Sequence, residues 1–317
     1  MKLFGLQDRW MAYRNRGRTR SGAPSGVLLI SAGGLGDTAL FATVLPRFAR
    51  LAGPGETVTV LLNRGSDKMA FLFPPEVTVQ TVDLQRLRRS LGYRRATMAR
   101  LFDANYRLVV DTDFLRHPEM DEALVWAADA AETAAMAPRP WPKYDNALAA
   151  GAARYDRLFD SGPVRRDKVL RWHAFANYLL EETHAPAPLA IDPELLPPPA
   201  NEPAPLVIIQ PFSAVRAKQS PPALYARILD TLPAGTAVAV AGAPEDRRRN
   251  RNYESLLARP GVSFEDAPFA QLAPRLRAAR LVISVDTACM HLAALMGAPT
   301  LCLASAAYVG EIVPYAQ

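Results

Sequence analysis

Apolar residues in this chain gather in short runs without polar alternation, and each run leads into a turn and then a helical pattern. The first run is Val27-Leu-Leu-Ile30, followed by the turn Ser31-Ala-Gly-Gly34 and a helix predicted from about Asp37. Thr57–Leu62 and Tyr106–Val110 are further strand candidates, with helical patterns between them. Runs of this kind fit strands buried on both faces, and their alternation with helices predicts a parallel α/β sheet.

Eight prolines fall in the twenty residues from Pro186 to Pro205. Helix and central strand are both disfavoured there, because proline lacks an N–H and fixes φ, so the stretch reads as a semi-rigid linker. The alternation then restarts: strand Leu206–Ile209, helix near Ala223–Leu232, strand Ala237–Ala241, helix over 245–258, strand Leu281–Val285, helix over 288–296 and strand over 300–303. The predicted organisation is a basic leader (1–24), an α/β domain (25–185), a linker (186–205) and a second α/β domain (206–317).

Composition changes this picture little. A chain of 317 residues, 50% apolar and 21% charged, has room for two ordinary globular cores. The net charge of +6 suits anionic ligands or surfaces without selecting one. The leader is distinctive: Lys2, Arg9, Arg14, Arg16, Arg18 and Arg20 face only Asp8, and Leu3, Phe4, Leu6, Trp10, Met11 and Tyr13 recur at roughly helical spacing. That mixture suits an interfacial arm on an anionic membrane; a solvated leader is the alternative. The uncharged stretch 292–310 is long enough to span a bilayer, but Gly297 and Pro299 break it into helix, turn and strand. Two cysteines, Cys289 and Cys302, make neither a disulfide framework nor a metal knuckle, which favours a reducing compartment.

In open α/β sheets ligands bind beyond the carboxyl ends of the strands, so residues just after each strand carry the chemistry. Ser31-Ala-Gly-Gly-Leu-Gly-Asp37 offers a close-approach glycine turn at a helix start, or simply a turn capped by Asp37. It is not G-x-G-x-x-G and lacks a phosphate-loop lysine. Val285-Asp-Thr-Ala-Cys-Met-His291 puts two titratable groups at a strand-to-helix junction, with the amides of Thr287 and Ala288 suited to a diphosphate. Ser213 and Lys218, after the strand that opens the second domain, suit phosphate oxygens or are solvated loop residues. Asp111-Thr-Asp113 reads as a metal-binding D-x-D or as structural. No G-x-S-x-G or H-E-x-x-H is present, and the basic residues form no nucleic-acid module.

Together these strings resemble glycosyltransferase family 9, the ADP-heptose:lipopolysaccharide heptosyltransferases. Asp286-Thr-Ala-x-x-His291-Leu-Ala-Ala is similar to the family's D-T-G-x-x-H-L-A-A, Gly242-Ala-Pro-Glu-Asp246 to its G-x-P-E-D, and Leu35-Gly-Asp37 to its S-S-L-G-D. Lys218 falls where the family has a lysine before a helix. The resemblance implies a GT-B fold, with two facing Rossmann-like domains, the acceptor on the first and the sugar nucleotide mainly on the second. It implies an inverting transfer with Asp37 as general base, and Gly33, Gly34 and Gly36 in the acceptor-side loop. Ser213, Lys218, Thr287 and Ala288 would hold the diphosphate, and Glu245 the ribose. Asp266 and Ala267 would flank the adenine, while Asp286 and His291 face the donor sugar and its phosphate.

No metal or cofactor is implied. The implied partners are a nucleotide-sugar donor and a glycan or glycolipid acceptor, with no nucleic acid. The expected setting is the cytoplasm, with the leader, residues 1–20, offering a peripheral contact on the inner face of the bacterial inner membrane. The chain departs from the family pattern at Gly33 and Gly34 (paired serines), Ser31 (arginine), Ala288 (glycine) and Gln219 (tryptophan). Ala304-Ser-Ala306 stands near the place of the usual G-P-T, and the family's terminal helices are expected to be lacking before Gln317. A degenerate GT-B domain that binds nucleotide or glycan without turnover is the second reading.

Overall fold

The computed structural model describes residues 2–186, 189–305, 309–312 and 315. The side chains of Lys2 and Leu3, and Ala306 and Gln317, named above, lie outside that description. The chain divides into two units, Met1–Gly34 with Val44–Pro186, and Leu35–Thr43 with Ala187–Gln317.

The first unit is built on a six-stranded parallel sheet. Its strands are β1 (Val27–Ser31), β2 (Val58–Asn63), β3 (Thr78–Val82), β4 (Leu108–Asp111), β5 (Glu132–Met136) and β6 (Arg157–Phe159). Their order is β3-β2-β1-β4-β5-β6. Central β1 pairs Val27 with both Val58 and Leu108, and all five of its residues are buried. That is why it reads as an unbroken apolar run. Edge strand β3 leaves Thr78 and Thr81 exposed.

The second unit carries β7 (Leu206–Gln210), β8 (Ala237–Ala241), β9 (Val262–Glu265), β10 (Leu281–Val285) and β11 (Thr300–Leu303), all parallel, in the order β11-β10-β7-β8-β9. Both orders are Rossmann-like. The direction of winding reverses between β1 and β4 in the first sheet and between β7 and β10 in the second, so each sheet opens its ligand crevice at the carboxyl ends of those two strands.

Three segments differ from a simple reading of the sequence. The helix Leu35–Phe41 follows β1, yet it packs on the helix Ala288–Leu295 and so belongs to the second unit. The pattern over 245–258 is interrupted: one helix covers Pro244–Arg249, Asn250 leaves the helical region with ψ at 58°, and a short helix resumes at Glu254–Leu257. The break turns Tyr253 into the core, against Phe212 at a ring separation of 4.9 Å. The proline-rich stretch is fastened to the second unit. The Ala200 amide donates to the Pro274 carbonyl at 2.9 Å, Arg277 donates to the Pro197 carbonyl, and Arg275 pairs with Glu202 at 2.8 Å.

The leader forms a helix over Lys2–Asn15 that lies on the first unit. Buried Arg94 donates two hydrogen bonds to Asp8, at 2.8 and 2.6 Å, and Met11 is buried against Met98 and Ala123. Among the described residues, no helix is long and apolar enough to cross a membrane.

Candidate functional site

In the second sheet β7 and β10 flank the switch point, and the residues after each of them meet there. Lys218 Nζ lies 2.7 Å from Asp286 Oδ2, an ion pair whose acid is almost fully buried and whose lysine is 18% exposed. Asp286 Oδ1 is 3.9 Å from His291 Nε2, one turn into the Ala288–Leu295 helix. The other ring nitrogen, His291 Nδ1, shares a 2.7 Å hydrogen bond with the Tyr315 hydroxyl, which also donates to Met290 Sδ. Hydrogen bonds thus join Lys218 to Asp286 and His291 to Tyr315, and a 3.9 Å contact between Asp286 and His291 sets the two pairs side by side.

The helix that bears Asp37 joins this group. A Cβ at Gly36 would stand 2.8 Å from His291 Cδ2 and 3.7 Å from the Ala288 Cα, so glycine is what lets the helix start approach the imidazole. Asp37 is half-buried in the same first turn. Gly33 lies on the first unit, its carbonyl accepting from Ser66 Oγ at 3.0 Å.

The remaining residues expected at the donor site follow consecutive strands of one parallel sheet. Asp286 follows β10, Ser213 follows β7, Glu245 follows β8 and Ala267 follows β9, so they line a single edge in the order β10-β7-β8-β9. Ser213 Oγ accepts from the Val215 amide at 3.2 Å and its carbonyl accepts from Gln219 Nε2 at 2.7 Å, bonds that shape the loop carrying Lys218. Thr287 caps the Ala288–Leu295 helix in extended conformation, with no side-chain cap bond of its own, while Ala288 opens that helix. Glu245 is held by Arg248 and Arg249, which keep its carboxyl below the ordinary carboxylate range. The Ala267 amide donates to Glu265 at 3.0 Å. Burial pushes the Cys289 thiol up to about 12 and that of Cys302 to about 11, so neither is a thiolate nucleophile.

The first sheet's switch point is built differently. Asp113 Oδ2 accepts the Ala32 amide at 2.7 Å, bridging the ends of β1 and β4, and Asp111 Oδ1 accepts the Asp113 amide at 3.1 Å. Asp111 is fully buried. Behind it lie Arg116, Asp121, Glu122 and Tyr155, a buried polar cluster that sequence patterning misses because Asp121-Glu122 reads as an ordinary acidic helix start. Burial, reinforced by the neighbouring Asp113, raises the Asp121 carboxyl to about 8, and burial also pushes Asp111 well above its usual range.

That cluster predicts an unusual pH dependence of stability. Folded Asp121 keeps its proton to about pH 8 while the unfolded chain releases it near 3.8, so the folded state binds more protons across that window. Stability should therefore fall as pH rises, with a slope of up to about 1.4 kcal/mol per pH unit for each retained proton, while His117, held below its ordinary 6.5 chiefly by burial, offsets part of the fall on the acid side. Glu56, lowered to about 2 by Arg107, acts in the opposite sense, but only below its ordinary 4.5. Urea midpoints should thus decline between about pH 5 and pH 8, and Asp121→Asn should flatten the decline. A midpoint that rises over this range contradicts the assignment.

Comparison with known proteins follows the same lines. The model of glycosyltransferase family 9 (heptosyltransferase) matches residues 144–317, more than half of the chain. The chain belongs to glycosyltransferase family 9. No curated protein sequence matches it. Among solved structures, E. coli heptosyltransferase WaaC with ADP is similar at a TM-score of 0.69 and 19% identity, over 90% of this chain and 90% of that one. The glycosyl transferase family 9 protein of Veillonella parvula DSM 2008 gives 0.65 at 16% identity, over 88% and 80%. E. coli ADP-heptose lps heptosyltransferase II gives 0.62 at 14%, over 87% and 84%. At these identities the structures speak for the fold. This family 9 chain is a glycosyltransferase with a GT-B fold, two Rossmann-like parallel-sheet domains.

Proposed function

We propose that this glycosyltransferase moves a sugar, with heptose from ADP-heptose as the first choice, onto a hydroxyl of a lipopolysaccharide-type or other surface glycan, inverting the anomeric carbon. Asp37 accepts the acceptor hydroxyl's proton as its oxygen attacks the anomeric carbon. The bond from that carbon to the diphosphate oxygen breaks on the opposite side, and the nucleoside diphosphate leaves. Lys218, Ser213 and the helix-start amides at Thr287 and Ala288 receive the charge that develops on the diphosphate. Glu245 takes the ribose, Asp266 and Ala267 flank the base, and Asp286 and His291 face the sugar. The acceptor belongs to a membrane surface, and residues 1–20 supply a peripheral contact there.

The observation that carries this reading is the Lys218–Asp286–His291 group with the Gly36-Asp37 helix start packed upon it. A cation for the leaving group and a carboxylate for the nucleophile thereby share one unit. ADP-heptose is placed first because the chain belongs to the heptosyltransferase family and the similarly folded WaaC was solved with ADP and with ADP-2-deoxy-2-fluoro heptose.

In this mechanism turnover needs no divalent metal, because Lys218 and backbone amides hold the diphosphate. Asp113 keeps one oxygen on the Ala32 amide and Asp111 is enclosed, which supports a structural role for both. Release of ADP from ADP-heptose with a deacylated lipopolysaccharide acceptor should proceed undiminished in EDTA. Loss of turnover in EDTA with rescue by magnesium or manganese would overturn the metal-free mechanism. Absence of turnover with every donor, alongside retained nucleotide binding, would favour the binding-only reading.

A further inference from the structure

The N-terminal helix does not close completely on the first unit. Between it and the helices Leu91–Asp103 and Asp121–Ala128 remains a cavity of about 430 Å³, within the size range of ligand pockets, about 300–1,000 Å³. Its floor is apolar, with Met11, Met98, Phe102, Ala123, Trp126 and Ala127. Its rim is cationic, with Arg9, Arg16 and Arg154.

Two acids also line the cavity, and each has a cation beside it that is not one of the rim arginines. Asp8 is gripped by Arg94, and Asp129 Oδ2 is 3.7 Å from Arg20. Among the described residues Arg9 and Arg16 have no acidic partner, and both are exposed. The Arg154 guanidinium lies over the Trp126 ring, 3.9 Å from its centroid, which fixes the cation at the apolar wall and leaves its in-plane N–H groups for an anion. Beside this rim, on the outward side of the same helix, Leu6, Trp10 and Tyr13 are 60%, 50% and 73% exposed at spacings of four and three, an apolar row whose Trp10 ring has the Arg14 and Arg95 guanidiniums 5.1 and 5.7 Å from its centroid. At helical pitch Arg9 and Arg16 fall between this row and the cavity mouth.

We propose that this cavity is a lipid site: it takes an acyl segment of an anionic phospholipid of the bilayer, with the lipid phosphate on Arg9, Arg16 and Arg154. Charge complementarity selects the occupant, since a cationic rim around an apolar floor matches an anion joined to a hydrocarbon chain. The row enters the surrounding interface, where exposed aromatic and aliphatic groups are favoured. The inference rests on the peripheral membrane contact proposed above and gives that contact a built site.

Flotation with vesicles of phosphatidylcholine alone, and of phosphatidylcholine with phosphatidylglycerol in equal parts, tests it on the full chain. The wild type should float with the anionic vesicles and not with the neutral ones. Each arginine removed should weaken binding about fivefold, so Arg9→Gln/Arg16→Gln should lose at least about tenfold. Ala127→Phe, which fills the cleft and leaves the rim charged, should lose about tenfold, the equivalent of two buried methylenes. Ala12→Phe fills the same cleft from the other wall and replaces it if the first variant melts early.

Equal binding to both vesicle types, or none to either, overturns the proposal. If cleft-filled variants float like the wild type while Leu6→Ser/Trp10→Ser/Tyr13→Ser does not, the peripheral contact stands and the lipid site falls. Sedimentation velocity without lipid should show a species unchanged by Arg9→Gln/Arg16→Gln. A dimer lost in that variant assigns the face to a second copy of the chain and overturns the lipid site.

Discussion

Replacing Asp37 by Asn is expected to lower kcat by about 10²–10⁴-fold while donor binding and folding persist. A sugar hydroxyl is too weakly acidic to attack unaided near neutral pH, so the rate depends on a positioned base that takes the proton as the bond forms. Asparagine keeps the size of the side chain and most of its capacity to accept bonds at a helix start, but it cannot take a proton. Asp37 lies in the first turn of Leu35–Phe41, where the helix dipole favours the ionised carboxylate. Its neighbour Gly36 is pressed against His291, so the turn is fixed to the donor-side unit. The helix starts at Leu35, two residues before the expected start, so Asp37 is its third residue and not its cap; if it serves only to stabilise that first turn, the variant should turn over normally and lose at most about 1 kcal/mol of stability. Single-turnover kinetics with the folded variant separate the two.

The second large effect concerns Lys218. Lys218→Met removes the cation proposed to face the leaving diphosphate and leaves Asp286, 5% exposed, without its ion-pair partner at 2.7 Å, with only His291 at 3.9 Å. Turnover should fall by about 10²–10³-fold, the usual scale for deleting one group that stabilises developing charge. Stability should fall by about 3 kcal/mol, because breaking a largely buried pair strands its partner. The double variant Lys218→Met/Asp286→Asn should recover most of that stability and none of the turnover. Recovery of turnover in the double variant would mean that Lys218 serves Asp286 and not the donor.

Central strands were legible as sequence because both faces are buried. β1, β7 and β10 are short apolar runs, and the expected boundaries lie within a residue or two of the observed ones. β5 was not, since Glu132-Thr-Ala-Ala-Met136 has the alanines of a helix and becomes a strand only by pairing with β4 and β6. Edge strand β3 interposes Thr78, Gln80 and Thr81, and β6 is three residues long with Leu158 exposed, so neither shows as an apolar run.

The site divides in the same way. Asp286 and His291 are visible locally, as a strand end followed by a helix start. The ion pair of Asp286 with Lys218 joins residues 68 apart, and Tyr315 on His291 is 24 away, so only the fold brings them together. The transfer of Leu35–Phe41 to the second unit is equally invisible in the pattern, because nothing local says which sheet a helix will cover.

Calorimetric titration of nucleoside diphosphates into the wild type and Lys218→Met reads donor binding at this lysine itself. ADP should bind the wild type, GDP, UDP and dTDP should bind more weakly, and Lys218→Met should lose at least about tenfold in ADP affinity, the loss of one charge-assisted contact. Equal ADP affinity in wild type and variant, or no binding of any nucleoside diphosphate to the folded wild type, would contradict a sugar-nucleotide site at Lys218 and Asp286.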